Sequence, residues 1–516
     1  MAENNQKKER SNNNQQNNQH KEAVEQTPED INRLVLERIK KLQEIRALNI
    51  NPYPYKFDKK HDCAVLQQRY AVLTKEERTQ DQAAVAGRIV ALRRMGKITF
   101  SHILDGSGKI QLYFSEDALG AEKYDFLKKL DMGDFIGVHG AIFRTKMGEL
   151  TVHVQDYTLL TKSLRPLPDK FHGLKDVDIR YRKRYLDLIM NPDVRKTFVQ
   201  RSQIIKEIRH FLDKKGFLEV ETPTLQTIYG GAAARPFTTH HNTLNMKLYL
   251  KISDELYLKR LIIGGFEKVY EIDKDFRNEG IDRNHNPEFT IIEWYEAYTD
   301  YNDQMKNAEQ MLSTVAQKVF GTTKIDYQGT IIDFSPPWKR ITMIEAIKEY
   351  ADIDVDKYDD EEIKQLVTAY NLQIKGDLTR GVIISALFEE LVEDKLIQPI
   401  FVIDHPVEIS PLTKVHRSKP GLVERFEIFC CGMEIGNAYS ELNDPIEQKN
   451  RLLEQEKNRV IDEEAHPMDN EFIEAMEYGM PPTGGIGIGI DRVAMIMINS
   501  PSIRDVIFFP TMKHEE

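Results

Sequence analysis

The stretch that decides the fold runs from Glu271 to Tyr298 and reads EIDKDFRNEGIDRNHNPEFTIIEWYEAY. Its first residues alternate between apolar and polar types, a polar segment follows Gly280, and an apolar, aromatic run resumes at Phe289. This pattern predicts two antiparallel strands joined by a loop. Charged residues lie within or beside these otherwise apolar strands, namely Arg277, Glu279, Glu288 and Glu293. Because a buried ionised group costs several kcal/mol unless it is paired, they indicate either a structural ion-pair network or a ligand site.

Composition describes a soluble protein of several domains. The chain has 516 residues with 41% hydrophobic and 30% charged content, and this length predicts roughly three domains. The net charge of −11 means that any nucleic-acid surface must be a local basic patch. The three cysteines, Cys63, Cys430 and Cys431, lack metal-site spacing. With a polar N-terminus and no run of about 18–20 apolar residues, the chain is expected to be cytoplasmic, with no membrane partner.

The N-terminal third predicts a tail, a helix and a barrel. Residues 1–30 are rich in Asn, Gln, Lys and Glu and predict a disordered polar tail. Residues 31–163 begin with a helical apolar period and then change to a period of two, giving about five short strands with a hairpin turn at Asp105–Gly108. This pattern fits an OB-fold barrel. Basic and aromatic residues alternate along it, which favours binding of unpaired bases over an ordinary barrel with a solvated basic rim.

The rest of the chain predicts an α+β domain. A proline-interrupted linker over 164–185 precedes it, and a helix over Val194–Lys215 leads into a strand that ends at Pro223. Residues 330–400 predict a helical insertion. In Gly484–Arg492, alternating glycines leave one face of a strand without side chains, so that a flat ring can lie on it. The glycine spacing fits neither a P-loop nor a dinucleotide fingerprint, and His240-His241 has no partner at zinc spacing.

Three of these segments, in this order, resemble the signature motifs of class II aminoacyl-tRNA synthetases. They are the helix and strand that end at Pro223, the pair Phe276-Arg-Asn-Glu and His285-Asn-Pro-Glu-Phe, and the glycine-rich Gly484–Arg492. The resemblance implies that 186–516 is a catalytic domain with an antiparallel sheet flanked by helices, and that the first motif forms a homodimer interface. An OB-fold anticodon-binding domain ahead of it is similar to the subclass of lysyl, aspartyl and asparaginyl enzymes.

The segments Asp254-Glu-Leu-Tyr-Leu-Lys-Arg and Glu434-Ile-Gly-Asn-Ala-Tyr-Ser-Glu closely resemble the lysyl members of this class. The resemblance implies activation of L-lysine by ATP to lysyl-adenylate and pyrophosphate, and then transfer of lysine to the 3′-terminal ribose of tRNA(Lys) in protein synthesis. It implies that Glu441 and Tyr295 hold the ε-ammonium group and that Glu255 holds the α-amino group. The lysine site so implied comprises Gly231, Glu255, Arg277, Glu293, Tyr295, Asn437 and Glu441.

The same resemblance implies the nucleotide, metal and anticodon sites. In it, Arg277 steers the lysine carboxylate onto the α-phosphate, while His285 and Arg492 meet the β- and γ-phosphates. Glu279 holds the adenine amino group, and Phe289 stacks on the ring. The implied ATP contacts are Arg277, Asn278, Glu279, His285, Asn286, Phe289, Glu434, Ile435, Gly489, Ile490, Asp491 and Arg492. Glu427 and Glu434 are the implied magnesium ligands, which suits hard oxygen donors. The implied anticodon contacts are Arg93, Phe100, Gln111 and Glu149.

Two alternatives and one departure accompany this interpretation. A related enzyme that transfers lysine to a protein lacks the barrel, so residues 83–160 argue against it. A catalytically inactive RNA-binding paralogue would not need Arg277, Glu427, Glu434 and Arg492 intact. The departure is Asn284, which stands where many bacterial relatives carry Arg or Thr, and the neighbouring Arg283 is a candidate substitute for that contact.

Overall fold

The computed structural model describes residues 28–168, 174–374, 377–458 and 467–514 and divides into two compact units, Met1–Lys175 and Asp176–Glu516. The division lies inside the predicted 164–185 linker, although a helix already occupies Val177–Arg182. Most of the predicted tail lies outside the described residues, and the first helix begins at Pro28. Among the described residues, no helix combines the length and the apolar character that crossing a membrane requires.

The first unit is the predicted five-stranded barrel. Its strands close in the order β1-β2-β3-β5-β4, with alternating buried residues such as Ile110, Leu112 and Phe114 filling the interior. The strands are β1 (Arg78–Met95), β2 (Ile98–Leu104), β3 (Lys109–Ser115), β4 (Phe135–Arg144) and β5 (Leu150–Thr161). Helices of this unit span Pro28–Ala47, Cys63–Arg69, Glu116–Leu119 and Ala121–Phe126.

The second unit is built on an eight-stranded sheet in the order β14-β15-β16-β17-β18-β11-β10-β6. Its two edge pairs, β14–β15 and β10–β6, are parallel, and the inner pairs are antiparallel. Its strands are β6 (Leu218–Glu219), β10 (Lys268–Phe276), β11 (Glu288–Ala297), β14 (Lys339–Thr342), β15 (Ile400–Pro406), β16 (Leu422–Cys430), β17 (Met433–Ser440) and β18 (Thr483–Gly489). Two small sheets lie beside it, formed by β7 (Leu225–Gln226), β8 (Thr238–His241) and β9 (Met246–Leu250) and by β12 (Lys324–Tyr327) and β13 (Thr330–Asp333).

Three helices cover one face of this sheet, whereas the other face packs against the helix Glu255–Ile263 near β10 and β11. Trp294, Phe426 and Ile488 point into a core with the helices Pro192–Lys214, Tyr301–Phe320 and Ile490–Ile498. Because side chains alternate along a strand, their neighbours in sequence point to the opposite face. The other helices of the unit span Val177–Arg182, Arg184–Met190, Glu255–Ile263, Met343–Ala351, Glu362–Ala369, Arg380–Leu391, Pro445–Asn458, Asn470–Glu477 and Ile503–Val506.

Two predictions differ in detail from the structure. The strand expected to run to Pro223 is only two residues long, because it pairs with β10 at the sheet edge through Leu218 and Glu219 alone. The 330–400 region contains the expected helices around a core of their own, but it begins with strands. Of these, Lys339–Thr342 extends the main sheet by pairing with β15. Short strands without clear alternation carry little signal in sequence.

Candidate active site

A cavity of about 390 Å³ opens on the face of the sheet opposite this core. It lies over β11, β16, β17 and β18 and is bounded by the loop after β10, by residues 231–233 and by the segment Ile409–Thr413. Its volume lies within the range of about 300–1,000 Å³ that is usual for small-molecule sites. The cavity therefore combines residues from the second and third signature segments, whereas no residue of the first segment, which ends at Pro223, borders it among the described residues.

Strand register brings the polar side chains of this cavity together. Glu427 pairs with Asn437 across β16 and β17, and Asn437 and Glu293 both pair with Gly487 of β18. Two positions further along each strand, the next row on the same face runs through Arg425, Tyr439, Gly485 and Tyr295. Directly paired residues lie on the same face of a sheet. Two adjacent rows thus form the cavity floor, with glycine at the centre of each.

The central glycines differ in how much room they leave. A Cβ atom at Gly485 would lie 2.1 Å from Glu441 Oε1 and 2.3 Å from Tyr295 Cε1. At Gly487 the nearest atoms would be 3.5 Å away, and at Gly489 nothing lies closer than 3.9 Å. The backbone at Gly485 is therefore in close contact with buried polar groups, whereas Gly489 leaves open space above the strand.

One end of the cavity is acidic. Glu255 and Glu293 are buried and line it, and Glu293 accepts hydrogen bonds from Ser253 Oγ at 2.8 Å and Tyr295 Oη at 3.2 Å. Glu441 is also buried but does not itself border the cavity; its Oε1 lies directly behind the floor, 2.1 Å from where a Cβ atom at Gly485 would be. Burial raises the pKa of Glu293 and of Glu441 to about 8, and it also raises the pKa of Glu255. Three buried carboxyl groups of this kind suit a ligand that brings positive charge.

Backbone geometry and amide groups complete this end. Gly231 has a φ of +88°, and a Cβ atom there would lie 2.7 Å from Ser253 Oγ, so this position requires glycine. Asn437 donates to Tyr439 Oη at 3.2 Å and accepts from Arg425 Nε at 3.1 Å. These residues therefore line the acidic end with fixed hydrogen-bonding groups.

The opposite end of the cavity is basic. The Arg277 guanidinium lies 5.1 Å from the centre of the Phe289 ring, a distance typical of a cation–π contact. Arg492 donates to His285 Nε2 at 2.9 Å and to the Glu434 carbonyl oxygen at 2.5 Å. His285 Nδ1 donates in turn to Asp282 at 2.8 Å, which fixes the ring. This arrangement of cations around a half-buried aromatic ring that lines the cavity suits a nucleotide with its phosphates.

Two carboxylates between these ends could hold a cation. Glu427 pairs with Arg425 at 2.6 Å, and burial together with the nearby Glu427 charge raises the pKa of Glu434. Within the described residues, no group of three or more metal-ligating side chains occurs. A pair of carboxylates beside a phosphate-sized space fits magnesium, which usually takes its remaining ligands from water and phosphate oxygens.

Some predicted ATP contacts do not face the cavity with their side chains. The Ile490 side chain is fully buried in the core, and Asn278 uses its backbone N–H to donate to Arg235 O at 2.8 Å. Asp491 borders the cavity, but its carboxylate accepts from Arg201 and from the Thr290 N–H. The remaining members of the predicted ATP set line the cavity.

The departure at position 284 has a clear geometry. Asn284 borders the cavity, whereas Arg283 is absent from the cavity lining among the described residues and donates to the Pro501 carbonyl oxygen. Of these two neighbours, Asn284 therefore borders the cavity and Arg283 contacts the segment at Pro501.

Sequence reasoning missed Ser253, Arg425 and Tyr439, which line the cavity, and Lys259, which lies behind its acidic end. Arg425 and Tyr439 could have been found, because each lies two positions from a predicted residue on the same strand and so shares its face. Lys259 lies one helical turn after Glu255 and forms ion pairs with Glu255 and Glu441. Its partnership with Glu441 could not be read from sequence, since 182 positions separate the two residues.

The barrel gathers the predicted anticodon residues on adjacent strands. Arg93 pairs with Phe100 across β1 and β2, and Phe100 lies 5.1 Å from the Tyr113 ring. Gln111 donates to Glu149 at 2.6 Å. Arg93 is exposed and Phe100 is half-buried, so a cation and an aromatic ring are adjacent on one patch of the barrel.

Comparison with known proteins gives the family. Residues 176–513 match a family model described as tRNA synthetases class II (D, K and N), and residues 83–160 match one described as OB-fold nucleic acid binding domain. The chain is 54% identical over 492 residues to a lysine–tRNA ligase of Pelotomaculum thermopropionicum, covering 95% of this chain and 96% of the relative.

Two further relatives are also lysine–tRNA ligases. A lysine–tRNA ligase of Clostridium novyi is 55% identical over 94% of this chain and 95% of its own length. One of Syntrophomonas wolfei is 53% identical over 94% of this chain and 98% of its own length. The match over 176–513 spans the acidic end, the glycine floor and the basic end of the cavity alike. This chain therefore belongs to the class II tRNA synthetases and, within them, to the lysine–tRNA ligase family.

Proposed function

We propose that this chain is a lysine–tRNA ligase that activates L-lysine with ATP and then esterifies tRNA(Lys). The observation that carries the proposal is one cavity with the buried Glu255 and Glu293 at one end, the buried Glu441 directly behind its floor, and Arg277, His285 and Arg492 at the other end. Lysine carries an ammonium group at each end of its carbon chain and a carboxylate beside one of them. A site that is acidic at one end and cationic at the other matches this distribution of charge.

Glu441 and Tyr295 would receive the ε-ammonium, and Glu255 would receive the α-amino group. Glu441 is 1% exposed, so an amino acid with an apolar side chain in place of the ε-ammonium would leave this buried carboxylate without a partner from the substrate. Breaking a buried pair on one side costs about 3–5 kcal/mol, which excludes apolar amino acids. Ornithine, one methylene shorter, is disfavoured by only about 1–3 kcal/mol.

Arg277 would draw the lysine carboxylate and the α-phosphate together. A carboxylate oxygen of lysine attacks the α-phosphorus, the bond to the bridging oxygen breaks, and pyrophosphate leaves with lysyl-adenylate retained. No enzyme nucleophile is required, so catalysis rests on positioning and on neutralisation of charge. His285 and Arg492, linked by a hydrogen bond, would bind the leaving phosphates, while Phe289 stacks on adenine and Glu279 accepts from its amino group.

Glu427 and Glu434 would hold Mg²⁺, which supplies positive charge that neutralises the phosphates of ATP when it is bound. In the second reaction a hydroxyl of the terminal ribose attacks the acyl carbon, and AMP leaves. The barrel would read the anticodon with Phe100 stacking on a base and Arg93, Gln111 and Glu149 contacting polar edges.

A homodimer through the first motif is part of this proposal. Val199 on the Pro192–Lys214 helix is 52% exposed, and Phe509 of the C-terminal segment is 72% exposed. Phe198 of the same helix stacks on Phe508 at 3.8 Å, so the exposed apolar groups adjoin an ordered aromatic contact. A second copy would cover them. The molar mass in solution, measured by light scattering, tests this part separately. Function in the cytoplasm, where tRNA is charged, completes the proposal.

Two assays test the function. The first is exchange of labelled pyrophosphate into ATP with each amino acid in turn, in which lysine alone should support rapid exchange. The second is aminoacylation of total tRNA, in which lysine should be esterified. Absence of lysine-dependent exchange would contradict the proposal and would support an RNA-binding role without catalysis. Exchange without esterification would limit the enzyme to the first reaction.

A further inference from the structure

Lys259 is a fully buried lysine beneath the acidic end of the cavity. It lies on the helix Glu255–Ile263, four positions after Glu255, so that both side chains lie on one face of the helix. Its ammonium group forms ion pairs with Glu255 and with Glu441. It does not border the cavity itself, and it therefore contacts the two carboxylates from behind.

These two carboxylates are the groups proposed to bind the two amino groups of substrate lysine. Within the described residues, neither carboxylate oxygen of Glu441 accepts a hydrogen bond of regular geometry, and its ion pair is with Lys259. The position of Glu441 therefore depends on this one ammonium group. Glu255 is held in the same way by Lys259.

An ordinary buried ion pair is the competing interpretation, and Lys251 allows the two to be compared. Lys251 is also fully buried and pairs with Asp254, Glu271 and Asp273. None of those three carboxylates lines the cavity, whereas Glu255 does and the Glu441 carboxylate touches the cavity floor at Gly485. Both lysines are thus equally buried, but the carboxylates paired with Lys259 lie at the cavity and those paired with Lys251 do not.

We propose that Lys259 is a positioning residue for substrate recognition, and that its ammonium group fixes the distance between the Glu255 and Glu441 carboxylates to match the two amino groups of lysine. This inference rests on the proposed function. Lys259 does not touch the substrate and takes no part in the chemistry. It acts by setting where two substrate-binding carboxylates lie and how strongly each retains its charge.

The charged groups around Glu255 and Glu441 also predict how lysine binding depends on pH. The ionisable groups that influence Glu255 and Glu441 are Lys259, Glu293, Tyr295, Tyr439 and Arg425. Burial raises the pKa of Glu441 to about 8, and Lys259 opposes that rise. With a pKa of about 8, this carboxyl already gives up a proton when lysine binds near neutral pH. Without Lys259 its pKa would be higher still, so that displacing this proton would cost more. Binding would then strengthen more steeply as the pH rises.

The test compares Lys259→Met, Lys259→Arg and the control Lys251→Met in pyrophosphate exchange. For Lys259→Met we expect the KM for lysine at pH 7 to rise about 100-fold, the effect of misplacing a binding group by about 1 Å, with the KM for ATP changed less than about threefold. Between pH 7 and 8.5 its lysine KM should fall more steeply than that of the wild type. Lys251→Met should lose thermal stability but keep the wild-type lysine KM and pH profile.

Lys259→Arg keeps the charge but displaces it, so we expect a raised lysine KM, weaker discrimination against ornithine and a wild-type pH profile. This variant also tests the proposal if Lys259→Met does not fold. A folded Lys259→Met with wild-type lysine KM and pH profile would overturn the inference, as would a folded Lys259→Arg with wild-type lysine KM and ornithine discrimination. Equal changes in the lysine and ATP KM would also overturn it. Failure of the wild-type enzyme to exchange pyrophosphate with lysine would contradict the proposed function instead.

Discussion

Replacing Gly485 by alanine would add one methyl group at the most crowded point of the cavity floor. Its Cβ atom would lie 2.1 Å from Glu441 Oε1 and 2.3 Å from Tyr295 Cε1, well inside van der Waals contact. Both of these side chains are buried, at 1% and 3% exposure, so neither has free space to move into. At least one of the two groups proposed to hold the ε-ammonium must shift by more than an ångström.

The size of the effect follows from this crowding. Overpacking a tight core costs about 1–3 kcal/mol of folding stability, and a displacement of about 1 Å in a binding group costs about 100-fold in function. For Gly485→Ala we therefore expect a folded protein whose melting temperature is lower by on the order of 5 °C. Its dissociation constant for lysine should be about 100-fold higher, while ATP affinity stays within about threefold.

The assay is calorimetric titration with lysine and, separately, with ATP, and Gly489→Ala is the matched control. At Gly489 an added Cβ atom meets nothing closer than 3.9 Å, so the fold should keep its melting temperature and its lysine affinity. Because Gly489 lies at the nucleotide end of the same strand, ATP binding should weaken instead. A folded Gly485→Ala that binds lysine with wild-type affinity would refute the assignment of Glu441 and Tyr295 to the lysine site.

Three further predictions concern charge at the two ends of the cavity. Glu441→Gln should raise the lysine dissociation constant by about 100-fold or more, because the buried ammonium group of lysine loses its charged partner, and it should leave ATP binding unchanged. An unchanged lysine affinity in calorimetric titration would remove Glu441 from the site. Arg277→Ala should nearly abolish pyrophosphate exchange, by about 100- to 1,000-fold as for other lost groups that stabilise developing charge, and a near-normal rate would contradict its role. The pKa of Glu293 and of Glu441 is raised to about 8, above the pKa of a glutamate in the unfolded chain. These two carboxyls therefore add to the free energy of unfolding at low pH, fully so below the unfolded pKa, and this contribution is lost as the pH rises through 8. The free protein should therefore melt at a lower temperature at pH 8.5 than at pH 6.5, and the stabilisation by added lysine should be larger at pH 8.5; an equal shift at both pH values would contradict the proposed ionisation.

Much of the second unit could be predicted because strand alternation is a local property. The two strands around Arg277 and Glu293, the bare glycine strand and the helix after Gly489 each follow from residues close together in the chain. The barrel was equally accessible, since five alternating runs separated by turn residues leave few other arrangements. The strand at Leu218 was predicted too long and the strand at Lys339–Thr342 was missed, because the extent of each is defined by its neighbour in the sheet.

The sequence by itself determined which residue types this protein brings to its site: carboxylates, arginines and glycines within several separate segments. Only the tertiary structure decided which of them share one face, because cross-strand register joins Glu427, Asn437, Gly487 and Glu293 from four strands that lie far apart in the chain. It also decided the partners of buried charges. In the sequence, Lys259 resembles any other lysine of a helix. Folding places its ammonium group between Glu255 and Glu441, where low solvent access strengthens both ion pairs, so that one ammonium group holds both carboxylates.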